Sequence, residues 1–313
     1  DRSVSRGLGD VYKRQIVFRK DKTFLLDWMQ VYMEAQESAG KKDGSQIKIA
    51  MRILKDYAGE MVTLDQIDGD FCRGYITYLL TEYHPKGKDI SNYTLHNYYR
   101  ALNGALNSAV RKKKMKANPF NELEKSEKIR KPESMRSYMT IEEVQALIDT
   151  PMPHEEYEIV KCAYLFSCFC GLRISDIIKL KWNDVFVDRG QYRLAVSMKK
   201  TKEPIYLPLS PEALKWMPER GGKSSEDNVF DLPSANTIRM QLKPWAKAAG
   251  ISKRFSYHTS RHTFATMMLT LGADLYTVSK LLGHADVKMT QVYAKIINKK
   301  KDEAVNLVNG LFH

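Results

Sequence analysis

A chain of 313 residues, 43% hydrophobic and 28% charged, is long enough for two buried cores and has ordinary globular composition, which excludes a disordered or low-complexity polypeptide. Its 50 Lys+Arg against 37 Asp+Glu leave a formal charge of +13, an excess that favours polyanionic partners through counterion release and a positive field. Cys72, Cys162, Cys168 and Cys170 are too sparse for a disulfide framework and read as buried thiols of a reducing cytoplasm, and no run of eighteen apolar residues offers a membrane span.

Residues 1–15 (DRSVSRGLGDVYKRQ) lack the apolar core of a signal peptide and any hydrophobic periodicity. They are similar to translated adapter text and are set apart as a non-native or disordered leader, so the native N-terminus is expected to be missing. Residues 16–120 read as a compact four-helix module. Phe24, Leu25, Trp28, Val31 and Tyr32 recur at three- and four-residue spacing, as do Ile47, Met51, Leu54 and Tyr57. A third run, Phe71 to Tyr83, follows Asp70 as a candidate N-cap. The fourth starts near Ser91 and carries Leu95, Tyr98, Leu102, Leu106 and Ala109 on one face. It ends in Arg111, Lys112, Lys113, Lys114 and Lys116 before Asn118-Pro119. A few cations suit the negative end of a helix dipole, but this many exceed that need and predict phosphate contacts.

Residues 121–137 (NELEKSEKIRKPESMRS) are charged and interrupted by Pro132, the composition of a linker. Thr140 with Glu143 forms a capping box ahead of Ile141, Val144, Leu147 and Ile148, and opens a second domain over residues 138–313. There a helix from about Glu155 to Cys170 leads into Gly171-Leu172-Arg173-Ile174-Ser175-Asp176 and a further turn to Lys181. Short strands follow at Val185 to Val187, at Tyr192, Leu194, Val196 and Met198, and at Ile205, Leu207 and Leu209. The polar stretch Lys199 to Glu203 reads as a hairpin tip. Beyond a loop at Gly221 to Ser225 the pattern returns to helices as far as Phe312. The last of these, with Lys299, Lys300 and Lys301 ahead of Ala304, Val305, Leu307, Val308 and Leu311, is amphipathic.

Several chemistries have no motif here. The sequence contains no phosphate loop ending in Gly-Lys-Ser/Thr and no His-Glu-x-x-His, and Cys168-x-Cys170 lacks a second ligand pair at metal spacing. What remains is an ordered set. Arg173 stands at a helix junction with Asp176 three residues on to orient it, and Lys200 lies on the hairpin tip, eight residues before Pro208. His258 and Arg261 are neighbours on one helical face, His284 closes Leu281-Leu282-Gly283-His284, and Tyr293 follows in Gln291-Val292-Tyr293-Ala294. Each piece alone is ordinary: a lone histidine is usually structural, and a lone tyrosine usually belongs to a core. Nearby His262 fits no such position and reads as a packing or hydrogen-bonding residue.

Taken together and in order, the set resembles the tyrosine recombinase (phage integrase) family. The resemblance covers the whole second domain, and more loosely the helical module, which looks like the family's core-binding domain. It implies a mainly α fold with a small antiparallel β-sheet, an N-terminal SAM-like four-helix core-binding domain preceding a mixed α/β catalytic domain. Arg173, Lys200, His258, Arg261, His284 and Tyr293 fall on the family's catalytic positions; Lys199 and Lys202 flank Lys200, which the spacing to Leu207-Pro208-Leu209 favours.

The resemblance implies that Tyr293 attacks the scissile phosphorus, forms a 3′-phosphotyrosyl link and releases a 5′-hydroxyl, a step that reverses onto another strand without ATP, metal or other cofactor. Arg173 and Arg261 would hold the non-bridging oxygens, Lys200 would protonate the leaving oxygen, His258 would take the phenol proton, and His284 would position the phosphate. The implied partner is double-stranded DNA, bound by a homotetramer during recombination with a monomer as the alternative in solution, and with DNA-bending or directionality factors as accessories. The implied task is integration or excision of a mobile element, on the nucleoid in the cytoplasm. The C-terminal tail would pack on its own domain or dock into a neighbouring protomer. Larger members carry a further N-terminal arm-binding domain, whose loss from this chain stays open. Two other readings compete: a type IB topoisomerase, against which the helical module speaks, and a DNA-binding regulator or decayed integrase, against which the intact residue set speaks.

Overall fold

The structure is a computed structural model that describes residues 22–132, 136–197 and 204–294. The chain divides into two compact units, one up to residue 134 and one from residue 135.

The first unit is built on helices α1 (Leu25–Ser38), α2 (Gly44–Ala58), α3 (Gly69–Thr81) and α4 (Asn92–Arg111). Leu25, Met29, Met33, Ile47, Ile53, Leu54, Tyr75, Leu79, Leu102 and Leu106 meet in one core, and Trp28 Nε1 donates to the Ala105 carbonyl at 2.8 Å to tie α1 to α4. Val31, expected on the apolar face, is 54% exposed, because the helical period carries the inward stripe through Met29 and Met33 instead. The cap of α3 also differs from expectation. Asp68, not Asp70, is extended and accepts from the Phe71 N–H at 2.8 Å, while Asp70, already helical, pairs with Arg73 at 2.7 Å. Helix α4 starts where the sequence places it, and Ser91 caps it, accepting from Thr94 N–H. At the far end Lys113 adopts a left-handed φ of 57° and closes the helix, leaving Arg111, Lys112, Lys113, Lys114 and Lys116 exposed.

The stretch expected from composition to be a linker is packed structure over its first half. Leu123 and Ile129 are buried in the helical core, and Glu127 pairs with Arg73 at 2.8 Å. Two apolar side chains suffice to anchor a segment whose other residues are charged and face water.

The second unit opens with α5 (Ile141–Asp149), whose Thr140–Glu143 capping box forms as expected, followed by α6 (Glu158–Cys170) and the short α7 (Ile174–Ile177). Strands β1 (Val185–Asp188), β2 (Gln191–Ser197) and β3 (Pro204–Pro208) make an antiparallel sheet in that order, with Leu194 facing Val185 on one side and Leu207 on the other. The turn between β1 and β2 uses Arg189 and Gly190, both at positive φ as a two-residue hairpin requires. Helices α8 (Pro211–Leu214), α9 (Ala235–Ala248), α10 (Tyr257–Thr270), α11 (Leu275–Leu281) and α12 (Lys288–Ala294) complete it.

Helix α10 is the centre of this unit. It packs on α6, where Tyr257 Oη donates to the Ala163 carbonyl at 2.7 Å and lies 2.9 Å from Ser167 Oγ. It is buried along most of its length, with His258 and Thr270 exposed near its two ends, yet carries Thr259, Ser260, Arg261, His262, Thr263 and Thr266 inward. Polar groups are desolvated at a cost and sit in a core only when paired, so a buried helix of this composition marks a built site rather than a packing element. Among the described residues, no helix is long and apolar enough to cross a membrane.

Candidate active site

The site begins where α6 ends. Gly171 takes a left-handed φ of +74°, and a Cβ there would lie 2.5 Å from Phe264 Cδ1, so only glycine allows the chain to turn against α10 at this point. The turn sets Arg173 in extended backbone ahead of α7. Asp176, buried on α7, approaches Arg173 Nη1 at 3.9 Å, an electrostatic rather than a hydrogen-bonding contact.

Arg261 holds the site together. It is 2% exposed; Nη1 donates to the Gly171 carbonyl at 2.7 Å and Nη2 to the Leu282 carbonyl at 2.6 Å. One guanidinium therefore fastens the end of α6 and the end of α11 to α10. Burial, with the charge of Arg173 beside it, lowers its pKa to about 10, still far above neutral, so the charge persists. His258 lies one turn earlier on α10, and burial, then Arg261, Arg173 and Arg136, hold its pKa below the ordinary histidine value. Leu282 leads into Gly283, at a φ of 60°, and His284, whose Nδ1 lies 2.7 Å from Thr290 Oγ1.

Tyr293, on α12, is 1% exposed. Its hydroxyl lies 2.6 Å from His262 Nδ1 and 2.9 Å from Arg136 Nη1, and the Arg136 guanidinium carbon lies 5.2 Å from the ring centroid. Burial, then the neighbouring His258 and Arg136, lower the His262 pKa to about 3, which leaves its imidazole neutral with one lone pair to offer. Arginine can only donate. The arrangement that satisfies all three groups has the phenol oxygen accepting from Arg136 and its proton directed at His262 Nδ1. The His258 and His262 rings meet edge to face at 4.5 Å.

Of the residues expected to act together, Arg173, His258, Arg261, His284 and Tyr293 all stand on or beside α10 in this one unit. Lys200 lies outside the described residues, as do residues 1–15 and the C-terminal tail. Arg111, Lys112, Lys113, Lys114 and Lys116 belong to the other unit. Two residues of the site were not expected in it. His262 was read as packing or hydrogen-bonding, and the partner of that hydrogen bond turns out to be Tyr293; its i+4 spacing from His258 on a helix was the available signal. Arg136 fell inside the presumed linker, where nothing distinguished it from its charged neighbours.

Two family models together account for most of the chain: the phage integrase family over residues 137–300, and the phage integrase SAM-like domain over residues 24–130. The chain belongs to the phage integrase family. With that membership comes the enzyme class of the site-specific tyrosine recombinases. A tyrosine recombinase of Pseudothermotoga lettingae is 29% identical over 242 residues, covering 70% of this chain and 82% of the relative. Tyrosine recombinase XerD of Vibrio vulnificus is 32% identical over 184 residues, covering 54% of this chain and 59% of its own length. Among solved structures, a Tn1549 transposon integrase in complex with transposon right-end DNA has a TM-score of 0.67 at 17% identity, covering 93% of this chain and all (100%) of that one. A lambda integrase tetramer bound to a Holliday junction has a TM-score of 0.66 at 21% identity over 88% of this chain and 78% of that one. These likenesses agree with a mainly α fold, a small antiparallel sheet and a SAM-like N-terminal domain ahead of the catalytic one.

Proposed function

We propose that this chain cuts and rejoins double-stranded DNA at a specific site, with Tyr293 as the nucleophile, to integrate or excise a mobile element. The observation that carries the reading is the Tyr293 hydroxyl held at 2.6 Å by a neutral histidine and at 2.9 Å by a guanidinium, in a unit whose Arg261 is buried and charged. A phenol in such company supports a role in chemistry on an anion. The Tyr293 oxygen bonds to phosphorus as the bond from phosphorus to the 5′-oxygen breaks. The phenol proton, directed at His262 in the resting arrangement, leaves during attack to a base, for which the adjacent His258 is proposed, and the 5′-oxygen gains one from an acid, for which Lys200 is proposed. Arg173 and Arg261 balance the charge that gathers on the non-bridging oxygens, and His284 donates to one of them. The phosphodiester energy stays in the phosphotyrosyl link, so rejoining needs no ATP.

The exposed cluster Arg111, Lys112, Lys113, Lys114 and Lys116 is proposed to meet backbone phosphates. A recombining assembly of four protomers, with DNA-bending or directionality factors, completes the reading; the lambda integrase structure is itself a tetramer on a Holliday junction. The curated relatives favour a second reading within the same chemistry, because several are named XerD or XerC. The task would then be recombination of a kind those relatives perform rather than movement of an element.

The test is covalent trapping on a pool of nicked duplexes randomised around the nick. Wild type is expected to yield a denaturant-resistant protein–DNA adduct and Tyr293→Phe none. An adduct formed by the Phe variant would overturn the nucleophile assignment, and sequencing the trapped duplexes would read out the target.

A further inference from the structure

We propose that Arg136 is a third phosphate-binding arginine of the cleavage site, parked on the nucleophile's own hydroxyl until a DNA backbone phosphate takes it. The inference rests on the recombinase reading above and adds to it both a DNA contact and a trigger.

Geometry comes first. Arg136 gives one N–H to the Tyr293 oxygen at 2.9 Å and lies over the ring at 5.2 Å, which leaves most of its fork of five donors for another acceptor. Among the described residues no carboxylate lies within ion-pairing distance of it, whereas Arg173 has Asp176 at 3.9 Å and Arg193 has Asp188 at 3.0 Å. The charge around it is also unbalanced. Arg261, Arg173 and Arg136 all bear on His258, while Asp176 is the buried carboxylate of this unit among the described residues. Three guanidiniums facing one carboxylate in a partly desolvated site leave a net positive charge that a bound anion would relieve.

The exchange follows from bond strengths. A neutral phenol oxygen is a modest acceptor. A phosphate is charged, matches the planar guanidinium with two parallel hydrogen bonds, and makes bonds roughly twice as strong. DNA arriving at Arg173 and Arg261 would therefore draw Arg136 off the phenol. Tyr293, at 1% exposure, would then lose one of its two holds, while His262 Nδ1 remains to orient the phenol proton. Substrate binding and release of the nucleophile become a single event, and a protomer without DNA keeps its tyrosine covered.

Two measurements judge this without needing turnover. In a Tyr293→Phe background, affinity for a random-sequence 40-base-pair duplex is measured across a salt series with and without Arg136→Gln. Loss of one phosphate contact should lower the slope of log affinity on log salt by about one, and Arg136→Lys should restore it. Superimposable slopes would overturn the phosphate contact. In the Tyr293-intact chain without DNA, nitration by tetranitromethane is mapped by peptide mass. Tyr293 should react at least about threefold faster in Arg136→Gln than in wild type, with the fully buried Tyr75 and Tyr164 unchanged as controls for folding. Equal Tyr293 reactivity would overturn the parking. Failure of the wild type to form any adduct on the nicked pool would instead count against the recombinase reading, and leave both of these results to stand on their own.

Discussion

The Tyr293 hydroxyl lies 2.6 Å from Nδ1 of His262, a residue 31 positions earlier on a different helix. With Arg136 donating to the same oxygen, a neutral His262 that accepts at Nδ1 satisfies all three groups. Burial, then His258, Arg136 and Arg261, hold the His262 imidazole neutral, which leaves Nδ1 able to accept from the phenol.

A pH dependence follows. The folded-state pKa of His262 is lowered from 6.5 to about 3, so between those values the unfolded chain binds a proton that the folded chain refuses. Stability contributed by this group is complete above about pH 6.5 and is lost as pH falls towards 3, and His258, also lowered, acts in the same direction. Thermal melts from pH 7 down to about 4 should fall less steeply for His262→Asn, which keeps an acceptor near the Nδ1 position without titrating. Parallel curves for the two proteins would show that the histidine ionises freely.

The two arginines that the sequence pairs as equals should separate in their effect on stability. Arg261 is 2% exposed and satisfies the Gly171 and Leu282 carbonyls, whereas the Arg173 side chain is 21% exposed. Arg261→Ala strands two buried carbonyls and should cost about 3 kcal/mol in urea unfolding, with Arg173→Ala costing clearly less. Both should lose strand cleavage. Equal destabilisation would mean that the carbonyl contacts contribute nothing.

Gly171→Ala should destabilise the second unit by about 2–4 kcal/mol, the sum of a left-handed alanine and a Cβ driven into Phe264. Adding Phe264→Leu should recover part of the loss by opening the space. An alanine variant as stable as wild type, measured by the same unfolding curve, would show that the turn relaxes freely.

Lys113 ends α4 at a φ of 57°, a conformation glycine adopts with less strain. Lys113→Gly should therefore raise the stability of the helical unit by about 0.5–1 kcal/mol. If this side chain also meets a phosphate, the same change should reduce the salt slope of DNA binding by about one. A gain in stability with no change in slope would leave the lysine a solvated cap.

Much of the molecule was legible in advance because its signals are local. The stripe Leu95, Leu102 and Leu106, the Thr140 capping box, and the alternation of Leu194 and Val196 each depend on residues within a few positions of one another. Errors arose where a local signal had a near rival. Asp68 took the cap that Asp70 also fitted, and Leu123 and Ile129 were too few to register against a charged background although they suffice to bury the segment.

The sequence by itself also determined the family, through an ordered set of two arginines, a lysine, two histidines and a tyrosine whose pattern resembles the phage integrases. Tertiary structure alone decided what the phenol does at rest. Arg136 and Tyr293 are 157 residues apart, and their contact has no periodicity, spacing or composition to announce it. Nor could the chain order reveal that Tyr293 is covered while two N–H groups of Arg261 go to backbone carbonyls. Burial and hydrogen-bond partners depend on which helices α10 packs against, and that is settled only when the whole unit has folded.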